Sequence, residues 1–316
     1  AGFITSNSIR QVFCRRVVAD ALEAKAPVHL AFAIPDHPWV DGAGTAAVRI
    51  AMTVIEAGAG DGDLATLASE APGADGVPNV SFAITRGRIN SDLSIGADVK
   101  AAKPLRANER LASPGFKLHG AGFIVSPTTA RALGLGSVAG LEQRIRPYLN
   151  GRDLQQRSRG HMVIDLDGLN EAEVRQRFPA VYQHVLLHVK PERDLNNEAY
   201  RRENWWLFGR NNAVMRAAVR SLPRYIATVE TAKHRVFVFL PGEVRPDNML
   251  IAIGSDDAFV LGVLQSRVHV TWTLAAGGTL EDRPRYNKTV CFDPFPFPNA
   301  PAMQRASIGA IAEELD

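Results

Sequence analysis

The chain has 316 residues, of which 46% are hydrophobic and 22% charged, a composition typical of folded globular proteins rather than of disordered, collagen-like or coiled-coil chains. No apolar run approaches the roughly 18 residues of a membrane-spanning helix, and two cysteines, Cys14 and Cys291, favour a reducing compartment over a disulfide scaffold. The net charge of +3 is unevenly distributed, because residues 144–245 hold 18 basic and 11 acidic residues. Such clustering indicates a surface that meets an anion.

The first part of the chain has the pattern of an α/β protein. In chain order we predict the end of a strand at 2–5, a helix from Ser8 that stops at Pro27, a strand at 28–34, a loop at 35–44, a strand at 47–55, a surface loop at 57–79, a short strand at 80–85 and a connector at 89–115. This order predicts the tail of a doubly wound, Rossmann-like sheet rather than a complete one. Because the chain starts in a strand and without an initiator Met, we expect it to be part of a longer protein.

From Phe116 onward the pattern changes to that of a mixed α+β domain. We predict strands at 122–126, 162–166, 225–229, 235–239, 249–253 and 268–274, and helices at 127–134, 170–188, 211–221 and 257–265. The prolines of residues 292–298 cannot continue a helix or a sheet, so this aromatic run is predicted to pack as an extended strap. The sequence thus predicts two domains, 1–115 and 116–316.

Two motifs that often bind cofactors or metals have the wrong context here. Residues 42–44, Gly-Ala-Gly, fit a loose dinucleotide fingerprint, but no strand precedes them and no helix follows. His184 and His188 lie four apart, yet Val185 stands where a zinc protease needs Glu, so we interpret the pair as packing and surface residues. We predict no metal site.

Arginine and glutamine are the side chains that read guanine and adenine edges. Arg152, Gln155, Arg157 and Arg159 share a polar stretch that we predict to be an exposed loop; a solvated surface is the alternative. Arg210 follows Trp205 and Trp206, which are either core anchors or a rigid platform that holds Arg210 at DNA. A GC-rich genome is the alternative explanation for 29 arginines among 36 basic residues.

Seven segments in order resemble one known family. They are GFITSNSIRQ (2–11), HLAFAIPDHPWVDGAGTAAVRIAMTVIE (29–56), RIRPYLNGRDL (144–154), RENWWLFGRNN (202–212), LPRYIATVETAKHRVFVFLP (222–241), LGVLQSRVHVTW (261–272) and RPRYNKTVCFDPFPFP (283–298). Together they resemble MmeI-like type II restriction-modification enzymes, which fuse an S-adenosylmethionine-dependent, adenine-specific DNA methyltransferase to a target-recognition region. The likeness implies that residues 1–115 end a methyltransferase domain and that residues 116–316 recognise DNA.

The chain departs from the family in lacking the Gly-rich cofactor loop and the Asn-Pro-Pro-aromatic motif. In the family both precede this region, so the resemblance implies that the S-adenosylmethionine site and the catalytic residues lie upstream and that the chain alone is inactive. Methylation of an adenine requires that the base be flipped out of the duplex. Trp39, about eight residues before Ala47, is our candidate for stacking on that base; packing beneath residues 35–38 is the alternative.

The resemblance also implies partners and DNA contacts. The partners would be double-stranded DNA and the upstream half of the same polypeptide, in a bacterial cytoplasm and without a membrane. The candidate DNA-binding residues are Arg152, Gln155, Arg157, Arg159, Arg210, Lys233, Arg235, Arg267, Arg283, Arg285 and Asn287. Two alternatives stay open: a stand-alone DNA specificity subunit without catalysis, and a small-molecule α/β enzyme that uses residues 42–44.

Overall fold

The computed structural model describes residues 1–11, 14–39, 48–73, 78–280 and 283–316. The chain divides into two compact units, Ala1–Ala102 and Lys103–Asp316. The predicted division after residue 115 lies later than this one, because residues 112–114 pair with a strand of the second unit. The Gly-Ala-Gly sequence at 42–44 lies outside the described residues.

The first unit is a five-stranded sheet with one short helix. Its elements are β1 (Gly2–Ser6), α1 (Arg16–Leu22), β2 (Val28–Trp39), β3 (Val48–Ala57), β4 (Gly62–Ala71) and β5 (Asn79–Gly87). The strand order is β1-β3-β2-β4-β5. Only β2 and β4 pair in parallel, and the other three pairings are antiparallel. Within the described residues, the unit does not by itself have the parallel arrangement of a doubly wound sheet.

Three predictions for this unit are wrong in detail. The segment 57–79, predicted as a surface loop, contains β4 and the start of β5. Residues 35–38, also predicted as a loop, belong to β2, which pairs with β3 through an irregular register after Ile34. The helix predicted from Ser8 begins at Arg16, after a 3₁₀ turn at Asn7–Arg10.

A glycine permits the unexpected strand. At Gly62 a Cβ would lie 2.0 Å from the carbonyl oxygen of Leu30, so a side chain there would keep β4 from approaching β2. Once β4 is in place, it contributes Leu64 to a buried apolar cluster. That cluster consists of Leu30, Ala33, Ala51, Leu64, Ile89 and Leu93.

The second unit is a mixed α+β structure, as predicted. Its strands are β6 (Ala112–Pro114), β7 (Ile124–Val125), β8 (Ile145–Leu149), β9 (Met162–Ile164), β10 (Arg224–Val229), β11 (Phe237–Pro241), β12 (Arg245–Pro246), β13 (Leu250–Ile253), β14 (Gly278–Leu280) and β15 (Arg283–Arg285). They form one sheet in the order β11-β10-β13-β6, a second in the order β12-β8-β9-β7, and the hairpin β14-β15.

Helices cover these sheets and complete the unit. They are α2 (Pro127–Ala132), α3 (Gly151–Gln155), α4 (Glu171–Arg177), α5 (Pro179–His188), α6 (Lys190–Asp194), α7 (Ala199–Glu203), α8 (Ala213–Val219), α9 (Ala258–Gln265), α10 (Arg267–Ala276), α11 (Lys288–Cys291) and α12 (Ala302–Leu315). The helix predicted at 170–188 is broken at Phe178–Pro179 into α4 and α5. The strand predicted at 268–274 is wrong, because this segment is α10, capped by Ser266.

The aromatic-proline run 292–298 has neither helix nor strand and packs against the unit. Phe292 and Phe295 are buried. The side-chain amide of Asn108, itself buried, donates to the carbonyl oxygens of Phe292, Asp293 and Phe295 at 3.1, 3.1 and 2.8 Å. This contact ties the beginning of the unit to a segment 184 to 187 residues later.

A buried ion pair lies between the sheets of the second unit. Arg216 donates to both carboxylate oxygens of Asp165 at 2.8 Å, and the Nε of Arg245 donates to the same carboxylate at 2.9 Å. Burial alone would raise the pKa of Asp165, but the two guanidinium groups outweigh it and lower that pKa. The carboxylate is therefore occupied by structural contacts.

Candidate nucleic-acid interface

An open groove of about 510 Å³ lies on the second unit. It combines short segments that are far apart in the sequence. The polar and charged residues that line it are Ser113, Lys117, Arg210, Asn212, Glu230, Asn248, Arg285, Asn287 and Lys288. Four of these side chains are basic and one is acidic, so the groove favours anions.

One wall of the groove is a short antiparallel bridge between Lys117 and Arg210. The backbone N–H of Arg210 donates to the carbonyl of Lys117 at 3.2 Å, and that of Gly209 donates to the carbonyl of Leu118 at 3.0 Å. A Cβ on Gly209 would lie 2.3 Å from the ring of His119, so only glycine fits there. Both basic side chains of the bridge are exposed.

The two tryptophans before Arg210 are core residues, which agrees with the first of the two interpretations. Trp205 and Trp206 are buried, and the indole N–H of Trp206 donates to the carbonyl of Leu169 at 2.9 Å. Behind them, the fully buried Arg193 donates to the carbonyls of Leu118 and Leu207 at 2.9 and 2.8 Å. These contacts hold the backbone on both sides of the bridge.

A second wall of the groove comes from the end of β15 and the start of α11, through Arg285, Tyr286, Asn287 and Lys288. Backbone hydrogen bonds join Tyr286 to Glu230 at 2.6 Å and Ala232 to Pro284 at 3.3 Å, so the hairpin is attached to the segment that follows β10. The guanidinium of Arg285 donates to the carboxylate of Glu230 at 2.6 Å. Arg285 is thereby held in one orientation with half of its side chain exposed.

Asparagines form much of the remaining lining. Asn212 has a left-handed backbone (φ +49°), caps α8, and donates its amide to the carbonyl of Gly115 at 3.1 Å. Asn287 caps α11 through its side-chain oxygen. Asn248 also lines the groove. Amide side chains carry both hydrogen-bond donors and hydrogen-bond acceptors, and here they lie beside cations.

A second, more apolar cavity of about 320 Å³ lies between α3 and the segment after β10. Gln155 and Lys233 both line it, so the structure brings these two predicted residues together. The stretch predicted as an exposed loop is partly wrong, because residues 151–155 form α3, capped reciprocally by Asn150 and Asp153. Arg152 and Arg157 are exposed on and after this helix.

Arg159 has a structural partner. Its Nε and Nη2 atoms each lie 2.9 Å from one oxygen of Asp153, whose carboxyl group is buried. The hydrogen bonds from Arg159 lower the pKa of Asp153 well below its usual range. Arg159 therefore stabilises the end of α3 while a third of its side chain stays exposed.

Arg235 must be removed from the candidate DNA-binding residues. Its guanidinium donates to the carbonyls of Val229, Glu230 and Pro284 and to the hydroxyl of Thr228. Burial lowers the pKa of this guanidinium. Both terminal nitrogens of Arg235 donate to the protein, so this side chain joins the hairpin to β10.

Three further candidate residues, Arg267, Arg283 and Trp39, do not line the groove. Arg267 is exposed at the first turn of α10 and lines neither of these two cavities. Arg283 is exposed on β15. Trp39 ends β2 with 45% of its surface exposed.

The histidine pair and the cysteines show no metal chemistry in the described ranges. The rings of His184 and His188 lie 4.6 Å apart, and the Nε2 of His184 is 3.0 Å from the carbonyl oxygen of Gly122. Across the residues the structure describes, no three His, Cys, Asp or Glu side chains cluster as metal ligands do. Cys14 and Cys291 are not disulfide-bonded, and burial raises the pKa of Cys291 to about 11.

The candidate residues omitted six polar or charged residues of the groove: Ser113, Lys117, Asn212, Glu230, Asn248 and Lys288. Asn212 and Lys288 lie within two residues of the candidates Arg210 and Asn287, in segments already singled out, so the sequence offered a signal for these two. For the other four, only the tertiary structure shows that they share the groove.

Comparisons with known proteins agree with this architecture. The family model "MmeI, target recognition domain" matches residues 99–299. A solved structure described as the type IIL restriction-modification enzyme MmeI in complex with DNA matches 99% of this chain with a TM-score of 0.69 and 20% identity. A third relative is DNA methyltransferase A of Bacillus subtilis (strain 168), 36% identical over 70 residues.

The second unit is thus a target recognition domain. The chain belongs to the MmeI target recognition domain family. It spans 41% of the length of the matched structure, and the 70-residue match covers 22% of this chain and 8% of DNA methyltransferase A. Among the described residues, no helix is long and apolar enough to cross a membrane.

Proposed function

We propose that this chain recognises a DNA target site and that the groove between the Lys117–Arg210 bridge and the β14-β15 hairpin binds the duplex. The observation that carries the proposal is the four-to-one excess of basic over acidic side chains in this groove, within a target recognition domain. The MmeI structure that the chain resembles contains DNA, which supports the proposal.

The two walls suit different contacts. Lys117 and Arg210 form no ion pair within the described residues and can neutralise phosphates without losing another partner. Arg285 is oriented by Glu230, and an arginine held in one geometry is suited to paired hydrogen bonds with a guanine edge. We assign phosphate binding to the first wall and base reading to the second.

The experiment is DNA binding by the whole chain to random-sequence duplex at several salt concentrations. We expect the logarithm of the binding constant to fall linearly with the logarithm of salt concentration. Arg210→Ala should flatten that slope by about one. Arg202→Ala is the control, because Arg202 is exposed in the same motif but does not line the groove. Absence of binding at low salt would contradict the proposal.

We also propose that the longer protein is an adenine-specific DNA methyltransferase of a restriction-modification system in the bacterial cytoplasm. Its upstream half would complete the doubly wound sheet of which residues 1–102 supply the end. The family match and the 70-residue likeness to a DNA methyltransferase support this. The stand-alone specificity subunit is the competing function, and a methylation assay of the longer protein separates the two.

The residues present do not fit a complete site for S-adenosylmethionine. Residues 7–15, which connect β1 to α1, contain no glycine, the residue type that lets a nucleotide-binding loop approach its ligand closely. We therefore propose that the cofactor binds upstream, and the isolated chain should methylate nothing.

Trp39 is proposed as a stacking partner for the flipped adenine. It is a large aromatic side chain at the end of a strand, and almost half of it is exposed. In the longer protein, Trp39→Ala should lower methylation strongly and Trp39→Phe should preserve most of it, because stacking needs an aromatic face. Unchanged methylation by Trp39→Ala would contradict this role.

A further inference from the structure

A third cavity, of about 390 Å³, adjoins the groove. The groove and this third cavity share Ser113, Asn212 and Lys288 as lining residues. Residues of the segment 104–110, which precedes β6, line the part of the third cavity that we call its far side. None of the sequence motifs pointed to this segment.

The far side carries two arginines. Arg106 and Arg110 are exposed, and within the described part of the chain neither forms an ion pair or a side-chain hydrogen bond. Two acidic residues also line the cavity. Asp293 is paired with Lys288 at 2.6 Å, and Glu109 is exposed without an ion pair. The groove and the cavity together hold six basic and three acidic side chains.

The segment that carries the arginines is fixed in place. Asn108, between them, is buried and donates to three carbonyls of the segment 292–295. The backbone N–H of Leu105 donates to the carbonyl of Asp293 at 2.9 Å. Arg110 has a left-handed backbone (φ +64°), which bulky residues rarely adopt. The two cations are therefore presented by an ordered segment.

Apart from its charged residues, the cavity offers few polar groups to a base. Its one asparagine, Asn212, already uses its amide on the carbonyls of Pro114 and Gly115 and its oxygen on Ser113 and Met215. Besides the charged residues, Ser113 and Asn212, the lining is apolar. An arginine can bind a phosphate or a guanine edge, and a lining that offers no free amide beside it favours the phosphate contact.

We propose that Arg106 and Arg110 bind backbone phosphates of the DNA duplex whose bases meet the groove. This inference rests on the proposed function and extends it by a second anchoring point, in the cavity that shares Asn212 with the groove. The two arginines fix the register of the duplex and leave the choice of sequence to the groove.

The test measures binding of the full chain to random duplex and to a duplex selected for tight binding, across several salt concentrations. Arg106→Ala and Arg110→Ala should each flatten the salt slope by about 0.9 and weaken binding roughly three- to tenfold at 0.1 M salt. Both duplexes should lose affinity by the same factor. Arg110→Lys should restore most of the slope, and Glu109→Gln should tighten binding to both duplexes because it removes a like charge from the phosphate path.

Arg110→Gly separates the loss of the charge from a loss of folding. Glycine accepts the left-handed backbone, so this variant loses the charge while the segment keeps its conformation. It should bind as weakly as Arg110→Ala. Unchanged slopes with intact binding by the wild type would overturn this inference alone, and so would a loss confined to the selected duplex. Failure of the wild type to bind any duplex would overturn both this inference and the proposed function.

Discussion

Arginine has two distinct roles in the second unit, and composition alone does not separate them. Arg193 and Arg235 direct their donors at backbone carbonyls inside the protein. Arg210 and Arg285 lie at the surface of the groove. An internal guanidinium stabilises the fold by satisfying carbonyls, whereas a surface guanidinium is available to an anion.

Arg235→Ala should therefore destabilise the fold without changing the DNA salt slope. Its removal takes away the side-chain donors to the carbonyls of Val229, Glu230 and Pro284, of which the last two keep a backbone donor, at a cost of about 1–3 kcal/mol in the free energy of unfolding. Arg210→Ala should do the reverse. Denaturant unfolding and salt-dependent binding of both variants check this, and a flattened slope for Arg235→Ala would show that the buried assignment is incorrect.

The pH dependence of stability follows from two carboxylates. Hydrogen bonds from Arg159 lower the pKa of Asp153, and Arg216 and Arg245 lower that of Asp165 against the effect of burial. Because these carboxylates have a lower pKa in the folded state, the unfolded chain takes up protons at a higher pH than the folded protein does. This stabilisation is complete above the unfolded pKa, about 3.9, and is lost as pH falls through the folded values.

We expect the wild type to lose stability below about pH 4, and Asp153→Asn to lose less over the same range. The variant should be less stable at pH 6 because its contact with Arg159 is weakened. Urea unfolding from pH 6 to pH 3 provides the measurement. A stability difference that stays constant across this range would contradict the role of Asp153.

At the scale of elements, the short helix α3 depends on the N-cap residue that precedes it, Asn150. The Asn150 side chain accepts from the backbone N–H groups of Arg152 and Asp153 at 3.0 and 3.2 Å. In turn, the carboxylate of Asp153 accepts from the backbone N–H of Asn150 at 3.1 Å. A five-residue helix has little stability of its own. Its cap therefore decides whether Arg152 and Gln155 are held in place.

Asn150→Ala should lower the free energy of unfolding by about 0.5–2 kcal/mol, the usual cost of a lost N-cap. Asn150→Asp keeps the acceptor oxygen and is the matched control, with a smaller loss expected. Guanidinium unfolding of the three proteins gives the comparison. Equal stability of Asn150→Ala and the wild type would mean that α3 is held by packing alone.

The elements that were predicted correctly are those with a local cause. Asn170 and Glu173 start α4 through a capping box at the predicted beginning of the helix, and the strand predicted at 225–229 is β10. In contrast, α10 contains Val268, Val270 and Thr271, whose β-branched side chains favour a strand. Its Ser266 cap and its packing against α9 override that preference.

The candidate site was predictable only where basic residues cluster in the sequence. Arg210, Arg285 and Asn287 were found this way, and the structure brings them into one groove. Lys117 and Arg106 were not, because isolated basic residues give no local signal. Burial of Arg235 was equally hidden, since it depends on carbonyls up to 49 residues away.

At the scale of the whole molecule, the place where the second unit begins is a testable quantity. The structure places it after Ala102, and the family match begins at residue 99. A chain of residues 103–316 keeps β6 and Asn108, whereas a chain of residues 116–316 loses both. The pairing of β6 with β13 and the three hydrogen bonds of Asn108 then disappear together.

The chain 103–316 should unfold in one transition, and the chain 116–316 should be less stable by about 3 kcal/mol or more, counting about 1 kcal/mol for each lost hydrogen bond. Calorimetry of both chains measures the difference. If the shorter chain were as stable as the longer one, the segment 103–115 would be a linker and the division predicted from the sequence would stand.

The Asn108 contact also has a consequence for how such domains diversify. Because Leu105 and Asp293 meet through a backbone hydrogen bond, the polypeptide enters and leaves most of the unit at one point. The residues between them form a closed loop of chain whose two ends lie together. The last helix, α12, packs on α9 within that loop, so the chain returns to the unit after leaving this junction. Insertions or deletions at exposed turns of the loop therefore leave both the junction and this packing in place.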